Sequence, residues 1–199
     1  MHKKKQSGFT LIEVLISVFV LALGVIGAAG MQLVALRTGQ QSGLQTVAIQ
    51  LATEMADNMR QNAKQMQRDD SENPYLFEYN TATDGKPVAP GKFCYGTNCT
   101  SEELADFQIY EWKMRLYLDS TLPGDSGLPG GRVVICPDEK PWNATDGKLD
   151  WTCTKTLAVA NSVPYVVKVG WQGKDVGSDK KLLKNQPPSV AITVQPYVK

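Results

Sequence analysis

Lys3-Lys4-Lys5-Gln6-Ser7-Gly8-Phe9-Thr10-Leu11-Ile12-Glu13 stands near the N-terminus, followed by an apolar run with no further charged residue before Arg37. Val14 to Leu36 is 23 residues long, as a helix roughly 34 Å, enough to cross a bilayer. Lys3, Lys4 and Lys5 ahead of such a run hold its N-terminal side in the cytoplasm. Glu13 is the unusual residue. A carboxylate in hydrocarbon costs roughly 2.5–3.5 kcal/mol even on lenient insertion scales, so it needs a function and a partner. A plain signal anchor on a periplasmic enzyme has the same basic head and apolar run, but it leaves Glu13 unexplained.

Past the apolar run the pattern turns amphipathic. Leu44, Val47, Ala48, Leu51, Met55, Met59, Ala63 and Met66 recur at intervals of three and four, the spacing of one buried helix face. No proline falls between Phe9 and Arg68, so one helix of roughly 90 Å is expected, far longer than a globular helix needs. Met55, Met59 and Met66 read as core contacts. Gly24, Gly27 and Gly30 admit two readings: small residues that let helices approach closely, or a weak point near Gly30 where the helix can unwind.

From Asp69 to about Cys99 the chain carries turn signals, Asn73-Pro74, Asp84-Gly85 and Pro90-Gly91, and reads as loop. Thr100-Ser101-Glu102-Glu103 has the spacing of a capping box. A second helix would follow through Leu104, Phe107, Tyr110 or Glu111, Met114, and Tyr117 or Leu118, stopping near Leu122-Pro123-Gly124. The alternation of Tyr110, Trp112, Met114, Leu116 and Leu118 supports a strand instead, and periodicity alone does not decide; the cap at the start and the Pro-Gly stop favour helix. Three β-branched runs, 132–135, 165–171 and 190–194, read as an antiparallel sheet. The fold class is therefore α+β: a long N-terminal helix packed on a small antiparallel sheet domain with a second helix.

All four cysteines lie beyond residue 90, which suits an oxidising compartment and two disulfides. Three connectivities are open. Spacing favours Cys94 with Cys99 and Cys136 with Cys153. A zinc site is disfavoured, since neither pair has Cys-x-x-Cys spacing and His2 is the lone histidine. Without another histidine, Ser-His and Cys-His nucleophilic catalysis have no base, so no catalytic residue, cofactor or metal is expected. Asp69, Asp70 and Glu72 cluster, but without the oxygen spacing of a calcium loop. Lys180, Lys181 and Lys184 read as a solvated loop. The formal net charge of +1 gives no electrostatic case for nucleic acid.

The stretch Gly8-Phe9-Thr10-Leu11-Ile12-Glu13 closely resembles the processing site of type IV pilins and type II secretion pseudopilins. The resemblance implies that prepilin peptidase cuts between Gly8 and Phe9 and that the new amino terminus of Phe9 is N-methylated. An ordinary secretory signal is cut after its apolar stretch; here the stretch would be kept. Phe9 and Glu13 become subunit-assembly residues by the same resemblance, Glu13 pairing with the free amine of a neighbouring subunit in the filament core. Four segments follow: a leader at 1–8, a transmembrane and filament-core helix at 9–36, its amphipathic continuation at 37–68, and a periplasmic globular domain at 69–199. Loss of the leader would take the formal charge from +1 to about −2.

Leu51 to Asn62, Glu103-Leu104-Ala105 with Trp112, Leu122-Pro123-Gly124 and Val167-Lys168-Val169-Gly170-Trp171 resemble minor pilins of the PilV type, known as type IV pilus modification or assembly proteins. That likeness implies a low-abundance subunit that primes or caps pilus assembly. Its partners would be prepilin peptidase, other minor pilins, the major pilin and a tip adhesin. It would sit in the bacterial inner membrane before assembly and in the pilus or its tip afterwards. Two alternatives stand beside it: a minor pseudopilin of a type II secretion system, and an adhesive binding module built on Trp112, Trp142, Trp151 and Trp171.

Overall fold

The uncharged stretch after Glu13 forms the N-terminal part of helix α1, Leu11–Gln61, in a computed structural model that describes residues 10–117, 127–155, 163–172 and 186–195. The chain divides into two units at Gly43 and Leu44. In the first unit every described residue is exposed, among them Leu15, Phe19, Leu23, Ile26 and Val34. Nothing lies within 4 Å of where a Cβ would stand on Gly24, Gly27 or Gly30, and all three are helical. Among the described residues none supplies a surface for them to pack against.

In the second unit one stripe of α1 is core: Ala48, Leu51, Ala52, Met55, Ala56 and Met59 are all buried. The sequence stripe through Met55, Met59 and Met66 is thus the packed face. The helix does not run unbroken to Arg68. It ends at Gln61, and after Asn62 a short helix α2, Ala63–Met66, begins. Asn62 leaves helical geometry, with φ −107° and ψ 59°. Its buried side-chain amide donates to Tyr75 Oη at 3.1 Å and to the Ser101 carbonyl at 2.7 Å. Asparagine competes with the helix through just such side-chain bonds.

Helix α3, Ser101–Leu116, settles the helix-or-strand ambiguity, and its start is the expected capping box. Thr100 Oγ1 accepts from the Glu103 amide at 3.2 Å, and Glu103 Oε2 accepts from the Thr100 amide at 2.8 Å. The buried face lies one to two positions later than the expected one. Ala105, Ile109, Trp112 and Leu116 face the core, while Phe107 and Tyr110 pack outside against Phe93. The helix ends at Leu116, where Tyr117 turns extended; the expected stop at Leu122-Pro123-Gly124 lies outside the described residues. Thr100→Ala should cost about 1 kcal/mol, and Thr100→Ser should be near neutral, both read as shifts in the urea midpoint.

The sheet has the order β1-β2-β5-β6, with β1 Glu78–Asn80, β2 Arg132–Pro137, β5 Tyr165–Gly170 and β6 Val190–Val194. Every pairing is antiparallel, with Glu78 opposite Val134, Cys136 opposite Val166, and Val169 opposite Val190. Strand β1 falls in the segment read as loop. It is too short for alternation to mark it, and an ion pair from Arg132 to Glu78 at 2.6 Å helps tie it to β2. A further pair, β3 Trp142–Asn143 and β4 Lys148–Leu149, makes a small hairpin. On β5, Tyr165, Val167 and Val169 join the core with α1 and α3, so Val166 and Lys168 point to the opposite face.

Tyr75, Tyr79 and Tyr165 are buried, and each phenol is pushed up to about 12, first by desolvation. The charges of Asp106, Asp84 and Asp70 respectively push in the same direction. An unfolded tyrosine ionises near 10, so the fold favours the protonated form. That contribution is complete below about pH 10 and is lost as pH rises through about 12. Phenolate absorbance from these rings should therefore emerge together with alkaline unfolding rather than ahead of it.

Candidate functional site

Glu13 sits in the first turn of α1, three residues after Thr10. The Thr10 amide and the Thr10 hydroxyl both donate to Glu13 Oε2, each at 3.0 Å. This is the carboxylate half of a capping box, the same Thr-x-x-Glu spacing that starts α3. The box at Thr100 stands out in the sequence, while the one at Thr10 has the same spacing and is overshadowed by the apolar run behind it. A carboxylate has about four acceptor positions. Both Thr10 bonds fall on one oxygen, which leaves the group able to accept a cationic donor from outside. The positive end of the helix also favours a negative charge in its first turn.

Behind Glu13 the helix handles its few polar groups internally. Ser17 Oγ donates to the Glu13 carbonyl at 2.7 Å, and Thr38 Oγ1 to the Val34 carbonyl at 3.0 Å. Such back-bonding lets a hydroxyl lie in an apolar medium. The helix is long and apolar enough to cross a membrane. Gly8 and Phe9, the expected cleavage and methylation positions, lie outside the described residues.

In the second unit the cysteines form two disulfides, Cys94–Cys99 and Cys136–Cys153, with Cα separations of 5.9 and 6.1 Å. The first staples the loop before α3, where Lys92 pairs with Glu103 at 3.1 Å and donates to the Asn98 carbonyl at 2.7 Å. The second joins β2 to the segment that follows β4. Beside it lies a group the sequence did not reveal. Lys168 and Asp138 are both fully buried and ion-paired at 2.6 Å.

Two members of the acidic cluster pair with cations: Lys155 with Asp70, and Arg68 with Glu72 at 3.4 Å. Among the described residues no group of three or more His, Cys, Asp or Glu is placed to hold a metal. The four tryptophans do not form one surface. Trp112 is core and Trp142 is exposed, while Trp151 and Trp171 line a shallow pocket with Arg132 and Gln186. Lys180, Lys181 and Lys184 lie outside the described residues.

The geometry is an exposed apolar helix, long enough to cross a membrane and carrying one carboxylate at its start, followed by an α+β domain. Residues 3–29 match the prokaryotic N-terminal methylation motif, and residues 30–110 match the family of type IV pilin Tt1218. No curated protein and no solved structure matches the chain. The chain is a type IV pilin-like protein with the pilin α+β fold. That family is one of structural subunits, processed by prepilin peptidase and assembled with other pilins.

Proposed function

We propose that this pilin subunit is a minor pilin that primes or caps a type IV pilus. The observation that carries it is the exposed apolar stretch from Val14 to Leu36 behind Glu13. At ~25 cal/mol per Å² of apolar surface, that stretch cannot stay in water. Lipid covers it before assembly and neighbouring subunits cover it afterwards. Prepilin peptidase cuts between Gly8 and Phe9, Phe9 is N-methylated, and Glu13 receives the amine of an adjacent subunit. Lys3, Lys4 and Lys5 keep the leader cytoplasmic and residues 69–199 periplasmic, where two disulfides are at home. The likeness of Leu51 to Asn62 and of Val167 to Trp171 to minor pilins supports a low-abundance role, with other minor pilins, the major pilin and a tip adhesin as neighbours.

Deleting the gene tests this reading, with surface pili counted in the presence and absence of the retraction motor. Loss of pili that recovers without retraction is the result expected of a priming subunit. Loss in both backgrounds would make it essential for initiation. Unchanged pili would reject the priming role and favour a secretion pseudopilin.

A further inference from the structure

Lys168 lies on β5, an inner strand of the sheet, and its side chain points away from the core face. Its ammonium is fully buried and meets two acceptors. Asp138 Oδ2 is 2.6 Å away, and the Thr152 carbonyl accepts at 2.6 Å. Asp138 is fixed in turn, its Oδ1 accepting from the amides of Lys140 at 2.9 Å and Thr154 at 3.1 Å. Asp138, Lys140 and Thr152 all belong to the segment closed by Cys136–Cys153, and Thr154 follows it directly. Asp138 stands two residues after Cys136, and Thr152 and Thr154 flank Cys153. The same segment seats Trp151 against Gly170, where a Cβ would come within 2.9 Å of the indole. Glycine at 170 is therefore what allows the cover to close flat on β5.

The bond that holds this cover is itself within reach of solvent. Cys153 is exposed and Cys136 half-buried, whereas Lys168 and Asp138 are fully buried. Removing one partner of a buried ion pair leaves an uncompensated charge in low dielectric, which is strongly destabilising. Both counter-groups of Lys168 are carried by one disulfide-closed segment, so they leave together when it lifts. Cys94–Cys99 has no comparable neighbour: it closes a short span beside exposed aromatic side chains.

We propose that Cys136–Cys153 is a redox latch that decides whether Lys168 is a buried ion-pair member or a solvent-accessible amine, so that the sheet of the second unit closes only in the oxidised chain. Opening it takes two electrons and two protons from a dithiol. The S–S bond becomes two thiols, and the dithiol closes to its own cyclic disulfide.

The test uses the full chain in detergent micelles, treated with N-hydroxysuccinimidyl acetate with and without dithiothreitol, and reads acetylation at Lys168 by mass spectrometry. Lys168 should be protected in the oxidised chain and react on the order of 100-fold faster after reduction. Cys136→Ser/Cys153→Ser should behave as the reduced chain, and Cys94→Ser/Cys99→Ser as the oxidised one. Because the first variant can fail to fold for other reasons, Lys168→Met/Asp138→Asn is added to it. Methionine removes the charge and keeps the stem, while asparagine keeps the acceptor for the Lys140 and Thr154 amides. This combination should restore slow hydrogen exchange of the β5 amides without the disulfide. Lys168 that stays protected after reduction would overturn the latch. So would β5 exchange that the charge-removing pair fails to slow, or labelling equally fast when Cys94 and Cys99 are replaced.

Discussion

Replacing Glu13 with alanine is expected to leave the chain in the membrane and to cut its recovery in sheared filaments at least about tenfold. Insertion depends on the uncharged run behind Glu13, and removing a carboxylate only makes that run more apolar. Assembly is different. If Glu13 receives a neighbour's amine, its loss strands a positive charge among apolar helices, at roughly 3–5 kcal/mol. Each ~1.4 kcal/mol is a factor of ten in an equilibrium, so tenfold is a low bound. Glu13→Gln separates the charge from the local hydrogen bonds. Glutamine can still accept from the Thr10 amide and hydroxyl, whose bonds to Oε2 are 3.0 Å long, but it brings no negative charge. It should therefore assemble nearly as poorly as alanine. Full recovery of Glu13→Gln would mean that the residue serves only to cap its own helix. Full recovery of Glu13→Ala would end the pairing role altogether.

Much of this fold was legible because its strongest signals are long and local. The uncharged run to Leu36 and the stripe through Leu51, Met55 and Met59 each repeat one physical requirement over many residues, and both are helical. The β-branched runs at 132–135, 165–171 and 190–194 mark strands for the same reason. What escaped the reading depends on contacts distant in sequence. Asn62 ends α1 because Tyr75 and the Ser101 carbonyl are there to receive its amide. On α3 the spacing of Leu104, Phe107 and Tyr110 is helical too. Phe107 and Tyr110 form an outer aromatic face against Phe93 and Tyr95, and only the packed core shows that Ile109 and Trp112 point inward. Strand β1 has three residues and needs β2 to exist at all. Lys168 is the clearest case. Nothing in Val167-Lys168-Val169 marks the lysine as buried, yet the segment carrying Asp138 and Thr152 covers it completely. At the functional site, the carboxylate in the apolar run stands out from the sequence and overshadows its Thr10 partner, which has the same Thr-x-x-Glu spacing as Thr100 and Glu103.

Trp112→Ala should be the most damaging single change to the second unit. The indole is fully buried between α1 and the rest of the core. It meets Phe77 edge-on at 6.4 Å, and its Nε1 donates to the Leu51 carbonyl at 2.7 Å. Truncation to alanine removes a large side chain that the surrounding helices and sheet cannot fully close over, at about 3–5 kcal/mol. The Leu51 carbonyl loses a donor as well, adding about 1 kcal/mol. Against a typical total of roughly 5–15 kcal/mol, the domain would be close to unfolding at 37 °C. Trp112→Phe tells the two contributions apart, since it keeps most of the ring volume and removes the N–H. It should cost about 1–3 kcal/mol. If phenylalanine were as harmful as alanine, the bond to Leu51 and not the filled volume would be what fastens α3 to α1. Urea unfolding followed by near-ultraviolet dichroism reads this, because residues 10–43 carry no tryptophan or tyrosine and contribute little to that signal. The mutant should still fractionate with membranes, since the apolar run is untouched. Its deficit is thus opposite to that of Glu13→Ala, which keeps a folded second unit and loses the filament.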